Sequence, residues 1–212
     1  MTPFLYVSRA LIRTGLHFPF RLKRTGQNHI PKTGGCILAG NHTTYMDPPF
    51  IGAAAPREVH YLAKRELWDN KILGWFLTQY NVHPLDRGGG DLATMRLALQ
   101  LLAEGRVLTI FPEGTRSRTG KMLKGKPGIG MIARRSKCPI IPCYSTGQHE
   151  LSRCLTLRRR LYIHYGEPIP VDWITSQPAG KEGAIAITER TMAALADLER
   201  WHRETFEPKL LT

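Results

Sequence analysis

A histidine and an aspartate five residues apart form the most informative pattern in this sequence. Residues 41–47 read N-H-T-T-Y-M-D and have the form N-H-x-x-x-x-D. A histidine acts as a general base when a carboxylate orients it and stabilises its charged form. On an ideal helix this offset would separate the two side chains by about 140°, so their contact requires a turn or loop. The pattern predicts His42 as a base oriented by Asp47, and the alternative is that Asp47 caps a helix beginning at Pro48.

A second polar stretch has residue types that suit an anionic ligand. Residues 111–118 read F-P-E-G-T-R-S-R and follow an apolar run. The glycine permits close backbone approach, and Arg116 or Arg118 offers a planar fork for phosphate oxygens. Residues 124–128, K-G-K-P-G, add cations and glycines before a predicted helix, whose first turn favours anions. A polar turn is the alternative interpretation. The chain contains neither G-x-x-x-x-G-K-[ST] nor G-x-S-x-G, which argues against a P-loop and an α/β-hydrolase elbow.

The elements that must position these motifs follow from apolar runs and helical spacing. Short apolar runs bounded by Gly, Pro or Asn predict buried strands at residues 36–39, 107–111, 139–144 and 161–165. Helical spacing predicts helices at residues 67–79, 91–104 with Asp91 as a cap, 128–136 and 181–206. Alternating strands and helices are typical of α/β proteins. We therefore expect a single α/β domain with a central, largely parallel sheet flanked by helices.

Composition narrows the class of protein. The chain has 212 residues, 42% of them hydrophobic, and 30 basic against 17 acidic side chains give a formal charge of +13. Such a chain can bury the core of one globular domain. Its four cysteines form no C-x-x-C pair, and no H-E-x-x-H occurs, so we expect no metal.

The first 46 residues contain no Asp or Glu. Basic side chains recur there at helical spacing, with apolar residues over much of the remaining surface and Pro19 as a break. The basic stripe consists of Arg9, Arg13, His17, Arg21 and Arg24. This pattern predicts a basic amphipathic helical segment at residues 1–30 that binds a membrane interface, ahead of a domain at residues 31–212. The alternatives are a helix packed on the domain and a nucleic-acid patch, which the clustering of aromatic with aliphatic residues disfavours.

The two motifs, in this order and about 70 residues apart, resemble the glycerolipid acyltransferase family, which includes lysophosphatidic acid acyltransferases. Four further blocks fit the family's order: L-A-K-R-E-L at residues 62–67, P-L-D-R at 84–87, G-K-P-G at 125–128 and P-I-I-P at 139–142. Departures are mild. Thr44 stands where serine is common, and Asn81 and His83 occupy positions that are usually small or apolar.

The resemblance implies a glycerol-3-phosphate acyltransferase-like fold and a direct acyl transfer without a cofactor. His42 would take the proton from a free hydroxyl of a lysophospholipid while that oxygen attacks an acyl thioester, either acyl-CoA or acyl carrier protein, and Asp47 would orient His42. Other residues would bind or shape the acceptor site. These are Lys64, Arg87, Glu113, Gly114, Thr115, Arg116 and Lys126.

The leading hypothesis is therefore acylation of lysophosphatidic acid to phosphatidic acid in phospholipid biosynthesis. Glycerol 3-phosphate or a lyso-aminolipid is an alternative acceptor, and a non-catalytic basic protein that binds lipid or nucleic acid is an alternative of another class. We expect membrane lipids and no nucleic acid as partners. The sequence does not predict an oligomeric state. Lacking a clear signal peptide or an apolar stretch of spanning length, the chain is predicted to be peripheral at the cytoplasmic face of a membrane.

Overall fold

A mostly parallel sheet forms the centre of the computed structural model, which describes residues 7, 22–85, 90–148 and 160–207. The sheet has seven strands in the order β1-β7-β6-β2-β5-β3-β4. Neighbouring strands are parallel except β6 and β7, which are antiparallel. The strands are β1 (Lys23–Thr25), β2 (Cys36–Gly40), β3 (Val59–Lys64), β4 (Val82–Leu85), β5 (Val107–Ile110), β6 (Ile140–Thr146) and β7 (Tyr162–Tyr165).

Helices cover both faces of this sheet. In the described ranges they are α1 (Asp47–Ala54), α2 (Lys71–Gln79), α3 (Gly90–Ala103), α4 (Gly128–Ser136), α5 (Val171–Ser176) and α6 (Lys181–Phe206), with 3₁₀ turns at Gln27–His29 and Arg65–Trp68. Within these ranges, no helix combines the length and the apolar character needed to cross a bilayer.

Two cores lie on opposite faces of the sheet, and β2 contributes to both. Leu38 packs in one core with Ile51 of α1. Ile37 packs in the other with Leu108 of β5 and Ala98 of α3. A central strand that is buried on both faces reads as a continuous apolar run, which is why β2 could be recognised in the sequence.

The predicted fold class is confirmed, and several elements add detail. The four predicted strands correspond to β2, β5, β6 and β7, and the helices predicted at 128–136 and 181–206 have the same bounds as α4 and α6. The helix predicted at 67–79 is instead a 3₁₀ turn followed by α2, because Asn70 starts a new helix by accepting a hydrogen bond from Leu73 N–H at 3.0 Å. Asp91 lies inside α3, which begins at Gly90, and not at its cap.

The predicted boundary after residue 30 is wrong for residues 22–30. Strand β1 pairs with β7, and Leu22 and Ile30 are buried in the core. The domain therefore extends at least to Leu22, because pairing and burial outweigh the polar character of this short strand. The amphipathic helix expected before it lies, apart from residue 7, outside the described residues.

Strand direction places both motifs at one edge of the sheet. Strands β2, β3, β4, β5 and β6 run the same way, so their last residues lie along a common edge, which we call the carboxyl edge. Residues 41–47 follow β2 and residues 111–118 follow β5, its direct neighbour. The two polar loops therefore meet, as ligand-binding loops do in α/β sheets.

Candidate active site

His42 and Asp47 are in direct contact. The distance from His42 Nδ1 to Asp47 Oδ2 is 3.0 Å. Because a carboxylate only accepts hydrogen bonds, Nδ1 carries the proton and Nε2 is the basic nitrogen. The His42 side chain is 19% exposed while that of Asp47 is fully buried. The buried Asp47 thus holds the imidazole at Nδ1, and Nε2 is available to a ligand.

Asp47 organises the whole loop. Its Oδ2 also accepts hydrogen bonds from the N–H groups of Thr43 at 2.6 Å and Thr44 at 2.8 Å, and Oδ1 accepts from the Thr44 hydroxyl at 2.7 Å. These donors compensate for burying the carboxylate. The alternative that Asp47 caps a helix starting at Pro48 is wrong, because α1 begins with Asp47 and its N-cap is Met46.

Asn41 joins the end of β2 to β6. Its Nδ2 donates to the Ser145 carbonyl at 2.9 Å, and its Oδ1 accepts from Ser145 N–H at 2.8 Å and from the hydroxyl at 3.3 Å. Asn41 is only 2% exposed. Its side chain thereby continues the β2–β6 pairing beyond Gly40 and holds the backbone from which His42 projects.

Glu113 links the two polar loops. Its Oε1 accepts from His42 N–H at 3.0 Å, and Oε2 accepts from Leu123 N–H at 2.8 Å. The His42 carbonyl in turn accepts from Ser117 N–H at 2.8 Å. Glu113 is 1% exposed. Both oxygens accept from backbone donors, so Glu113 positions the two loops, and its part in shaping the acceptor site stays a prediction.

Cationic side chains stand at the mouth of the site. The Arg116 guanidinium carbon lies 3.8 Å from the centroid of the Tyr45 ring, within the His42 loop. Gly114 has φ +64°, and a Cβ there would lie 3.1 Å from Lys126 Nζ. The positive φ favours glycine at this position, and the absence of a Cβ leaves room for the Lys126 side chain close to the backbone. Arg116 is half-buried and Lys126 is exposed, as expected for groups that meet a ligand.

The remaining predicted acceptor residues are less closely tied to His42. Thr115 is exposed in the loop between Gly114 and Arg116. Lys64 is exposed at the end of β3, and β5 separates β3 from β2. Arg87 lies outside the described residues. Lys64 therefore lies at the carboxyl edge, at the end of the second strand from β2.

His83, for which the sequence left a phosphate or a turn role open, pairs with another histidine. Its Nε2 lies 3.0 Å from His60 Nδ1, and the two rings are stacked. Burial lowers the pKa of both groups, and the pKa of His60 falls to about 4 with a further contribution from His83. One of the two neutral rings donates its N–H to the other, and this hydrogen bond links β3 to β4.

Residues 21–146, more than half of the chain, match the acyltransferase family. The chain belongs to the acyltransferase family. This acyltransferase is 30% identical over 179 residues to a 1-acyl-sn-glycerol-3-phosphate acyltransferase from Bacillus subtilis, covering 84% of this chain and 88% of the relative. It is 33% identical over 157 residues to the enzyme of the same name from Limnanthes douglasii, covering 71% of this chain and 55% of the relative.

A solved structure has the same fold. The crystal structure of a 1-acyl-sn-glycerophosphate acyltransferase from Thermotoga maritima superimposes with a TM-score of 0.66 at 22% identity, covering 95% of this chain and 83% of the other. The family and the fold expected from the sequence are therefore both confirmed.

Two residues that contact His42 or Asn41 were not predicted from the sequence. Phe111 stacks on the His42 ring at a centroid distance of 4.2 Å, and Ser145 completes the Asn41 bridge. Phe111 stood in a quoted motif but was taken as the end of a strand. Ser145 had no signal, because a serine inside an apolar strand gains its partner only from the pairing of β2 with β6.

Proposed function

We propose that the protein transfers an acyl group from an acyl thioester to the free hydroxyl of lysophosphatidic acid and so forms phosphatidic acid. The observation that carries this proposal is the His42–Asp47 contact of 3.0 Å, with Nε2 left as the basic nitrogen. No described residue hydrogen-bonds to Nε2. The relatives from Bacillus subtilis and Limnanthes douglasii are both named 1-acyl-sn-glycerol-3-phosphate acyltransferase, and these names support this choice of acceptor.

The reaction needs a base because an alcohol is a poor nucleophile at neutral pH. His42 Nε2 accepts the hydroxyl proton while the acceptor oxygen attacks the thioester carbonyl carbon. The tetrahedral intermediate then collapses, the carbon–sulfur bond breaks, and the thiolate takes the proton from Nε2. The ester and the free thiol are the products, and His42 is returned to its neutral form. Asp47 stabilises the imidazolium through its hydrogen bond to Nδ1–H.

The acceptor phosphate is recognised by cations at the mouth of the site. Arg116 supplies a planar fork for two phosphate oxygens, and Lys126 supplies a point charge beside Gly114. Lys64 and Arg87 are further candidates, and Thr115 offers a hydroxyl between Gly114 and Arg116. Glu113 serves this site by holding the loops together.

The acyl donor is acyl-CoA or acyl carrier protein, and the reaction uses no other cofactor. Both donors are acidic, and the formal charge of +13 favours either. We propose peripheral attachment at the cytoplasmic face of a membrane, where the basic surface would meet anionic lipid.

The test is acyl transfer from labelled acyl-CoA, and separately from acyl carrier protein, to lysophosphatidic acid, glycerol 3-phosphate, lysophosphatidylcholine and a lyso-aminolipid. We expect phosphatidic acid as the main product and a loss of about 10²- to 10⁴-fold in kcat for His42→Ala. His29→Ala is a matched control, because the His29 side chain is 22% exposed and also lies 3.1 Å from a carboxylate oxygen, on Glu167.

Each outcome has a definite meaning. Dominant acylation of glycerol 3-phosphate or a lyso-aminolipid would replace the proposed acceptor. Equal activity of His42→Ala and His29→Ala would remove His42 from the role of base. Absence of product with every pairing, in a folded protein that binds vesicles, would favour a non-catalytic lipid-binding role.

A further inference from the structure

Large apolar side chains are exposed along one short stretch of the chain, the 3₁₀ turn and α2. The exposed fractions are 40% for Leu67, 77% for Ile72, 42% for Leu73, 52% for Trp75 and 46% for Phe76. We call these five residues the α2 patch. Single exposed apolar residues are common on protein surfaces, whereas clusters of them are rare. Such a cluster therefore indicates a contact surface.

None of these five side chains belongs to the two buried cores of the described chain. Gly74 is the buried residue of α2, and a Cβ there would lie 2.8 Å from Trp68 Cδ1. The helix thus rests on the 3₁₀ turn through its glycine. The Asn70 cap and a hydrogen bond of 3.0 Å from Trp68 Nε1 to the Thr78 hydroxyl hold it there. Polar groups and a close contact at Gly74 help to hold α2 in place, and its bulky apolar side chains keep a large exposed fraction.

The stretch with the α2 patch follows directly on the last residue of β3, at the carboxyl edge that also carries the His42 loop. Strands β3 and β4 pair with Tyr61 opposite Val82 and Lys64 opposite Leu85. The chain leaves β3 at Lys64 and enters β4 at Val82, which lies beside Tyr61. The start of β4 is therefore only three residues, about 10 Å along the strands, from the carboxyl end of β3. The 3₁₀ turn and α2 fill this short connection, so they stay close to the edge.

Positive charge surrounds the patch. Lys64, Arg65 and Lys71 are exposed, against a single exposed carboxylate in this stretch of the described chain, Asp69, since Glu66 is half-buried. An amphipathic helix with Trp, Phe and Leu on one side and flanking cations is typical of an interfacial membrane helix. The formal charge of +13 adds long-range attraction to an anionic surface.

The chain before Leu22 joins the sheet at this same edge. Strand β1 begins at Lys23, which pairs with Tyr162 of β7, and Tyr162 pairs with Thr146 at the end of β6. The 21 preceding residues, which carry the basic amphipathic sequence pattern, therefore connect on one side of His42. The α2 patch lies on the other side, beyond β5.

We propose that the α2 patch inserts into the interface of a bilayer that contains anionic lipids and so turns the carboxyl edge toward the membrane. This proposal rests on the proposed function in one respect, since a lipid acceptor explains why the edge with His42 would face a bilayer. Insertion of Trp75 and Phe76 would bring a membrane-embedded headgroup to Arg116 without full extraction of the lipid into water.

The experiment measures binding of the full chain to vesicles of phosphatidylcholine mixed with phosphatidylglycerol, by co-sedimentation. We expect Ile72→Ser and Trp75→Ser each to weaken binding by about tenfold, because each removes one inserted apolar side chain. Ile185→Ser is the matched control, since Ile185 is a 36% exposed isoleucine on α6. Its binding should equal that of the unmutated protein.

A second readout separates this proposal from the proposed function. Acyl transfer to a short-chain lysophosphatidic acid that is monomeric in solution should be unchanged in Ile72→Ser and Trp75→Ser. Loss of vesicle binding with this activity retained supports the proposal. Absence of transfer by the unmutated protein would defeat the proposed function, while the vesicle result would still decide the role of the patch.

Three results would overturn the proposal. Equal vesicle binding by all variants would exclude insertion. Unchanged binding together with a lower Tm in Ile72→Ser and Trp75→Ser would assign the patch to a contact within the chain. Conversion of a dimer to a monomer, measured by analytical ultracentrifugation without vesicles and with vesicle binding unchanged, would assign it to a second copy of the protein.

Discussion

At the residue scale, His42 is held at both its backbone and its ring, by Glu113 and Ser117 at the backbone and by Asp47 at the ring. Both backbone hydrogen-bonding groups of His42 are engaged by the loop after β5, which lies 71 residues away in sequence at Glu113. The position of Nε2 therefore depends on two loops at once, and changes outside the N-H-x-x-x-x-D motif should reach the chemistry.

Glu113→Gln tests this dependence. The carboxamide has one acceptor oxygen, so its NH₂ group must face either His42 N–H or Leu123 N–H, and one buried donor loses its partner. We expect kcat to fall and the free energy of unfolding to fall by about 1–3 kcal/mol. Steady-state kinetics and urea denaturation measure the two effects. Glu167→Gln is the control, because that side chain is 85% exposed; a kcat equal to that of the control would contradict the positioning role.

Tyr45 is expected to orient Arg116 toward the acceptor phosphate. Tyr45→Ala removes the ring that lies 3.8 Å from the guanidinium carbon, whereas Tyr45→Phe keeps it. An exposed cation–π contact contributes about 0.5–1 kcal/mol, so the KM for lysophosphatidic acid should rise about two- to fivefold in Tyr45→Ala with kcat unchanged. Acceptor titrations of the two variants provide the measurement, and a KM raised equally in both would assign the effect to the hydroxyl.

The residues that could be predicted were those whose partners are close in sequence. His42 and Asp47 are five positions apart, and Thr44 reaches Asp47 from three positions away. The roles of Asn41 and Glu113 could not be predicted, because their partners come from strands and loops that only the fold brings together.

At the element scale, buried polar bridges connect the reversed strands to the last helix. The Thr25 hydroxyl of β1 lies 2.8 Å from His164 Nδ1 of β7, and His164 Nε2 lies 2.9 Å from His202 Nδ1 of α6. Burial lowers the pKa of His164 to about 4, with smaller contributions from His202 and Lys23. This histidine is therefore neutral in the folded protein at neutral pH.

This network predicts loss of stability in mild acid. Above pH 6.5 His164 is neutral in both folded and unfolded chains. Between about pH 6.5 and 4 the unfolded chain binds a proton that the folded chain excludes, so the free energy of unfolding falls as pH falls. His60 contributes in the same direction, since its pKa is also lowered to about 4.

Urea denaturation across this pH range gives the measurement. His164→Gln should show a shallower decrease between pH 6.5 and 4 than the unmutated protein, because one of the titrating groups is gone. Decreases of the same slope would show that His164 does not carry this linkage. His29→Gln is the comparison variant, because the partly exposed His29 lies outside the network.

Elements were predictable where burial is two-sided or helical spacing is long. Strand β2 and helix α6 follow from their apolar patterns. Strands β1 and β4 could not be recognised from such a pattern. Strand β1 consists of three polar or basic residues, and Pro84 is one of the four residues of β4. Such short strands at the two ends of the sheet exist because a neighbour pairs with them, which no local pattern records.

At the scale of the whole molecule, the excess of positive charge and the α2 patch act at different distances. Attraction between exposed charges and an anionic surface extends over a Debye length, about 8 Å at physiological ionic strength, whereas apolar insertion requires contact. The charge would bring the protein to the membrane, and the patch would hold it there.

Salt should therefore separate the two contributions. Raising the ionic strength should weaken binding to vesicles that contain phosphatidylglycerol, and the residual affinity at high salt should be about tenfold lower in Trp75→Ser than in the unmutated protein. Co-sedimentation at increasing sodium chloride concentration measures both quantities. Binding that does not change with salt would show that the +13 charge has no part in attachment.

The alternation of apolar runs and helices was enough to predict an α/β domain with a largely parallel sheet. The reversal at β7 was not predicted, although it decides that β1 starts at the carboxyl edge. The direction of β7 depends on its long-range pairing with β6 and β1, and the sequence between β6 and β7 carries no signal for either direction.

The bridge that Glu113 makes between the loops after β2 and β5 also bears on protein engineering. A designer who wishes to import the acceptor preference of a relative would naturally exchange one loop at a time. Because the carboxylate joins His42 to Leu123, residues 41–47 and 111–126 form one transplantable unit. Chimeras that carry both segments from the same parent should retain turnover, and those that mix parents should lose it even when each segment is intact.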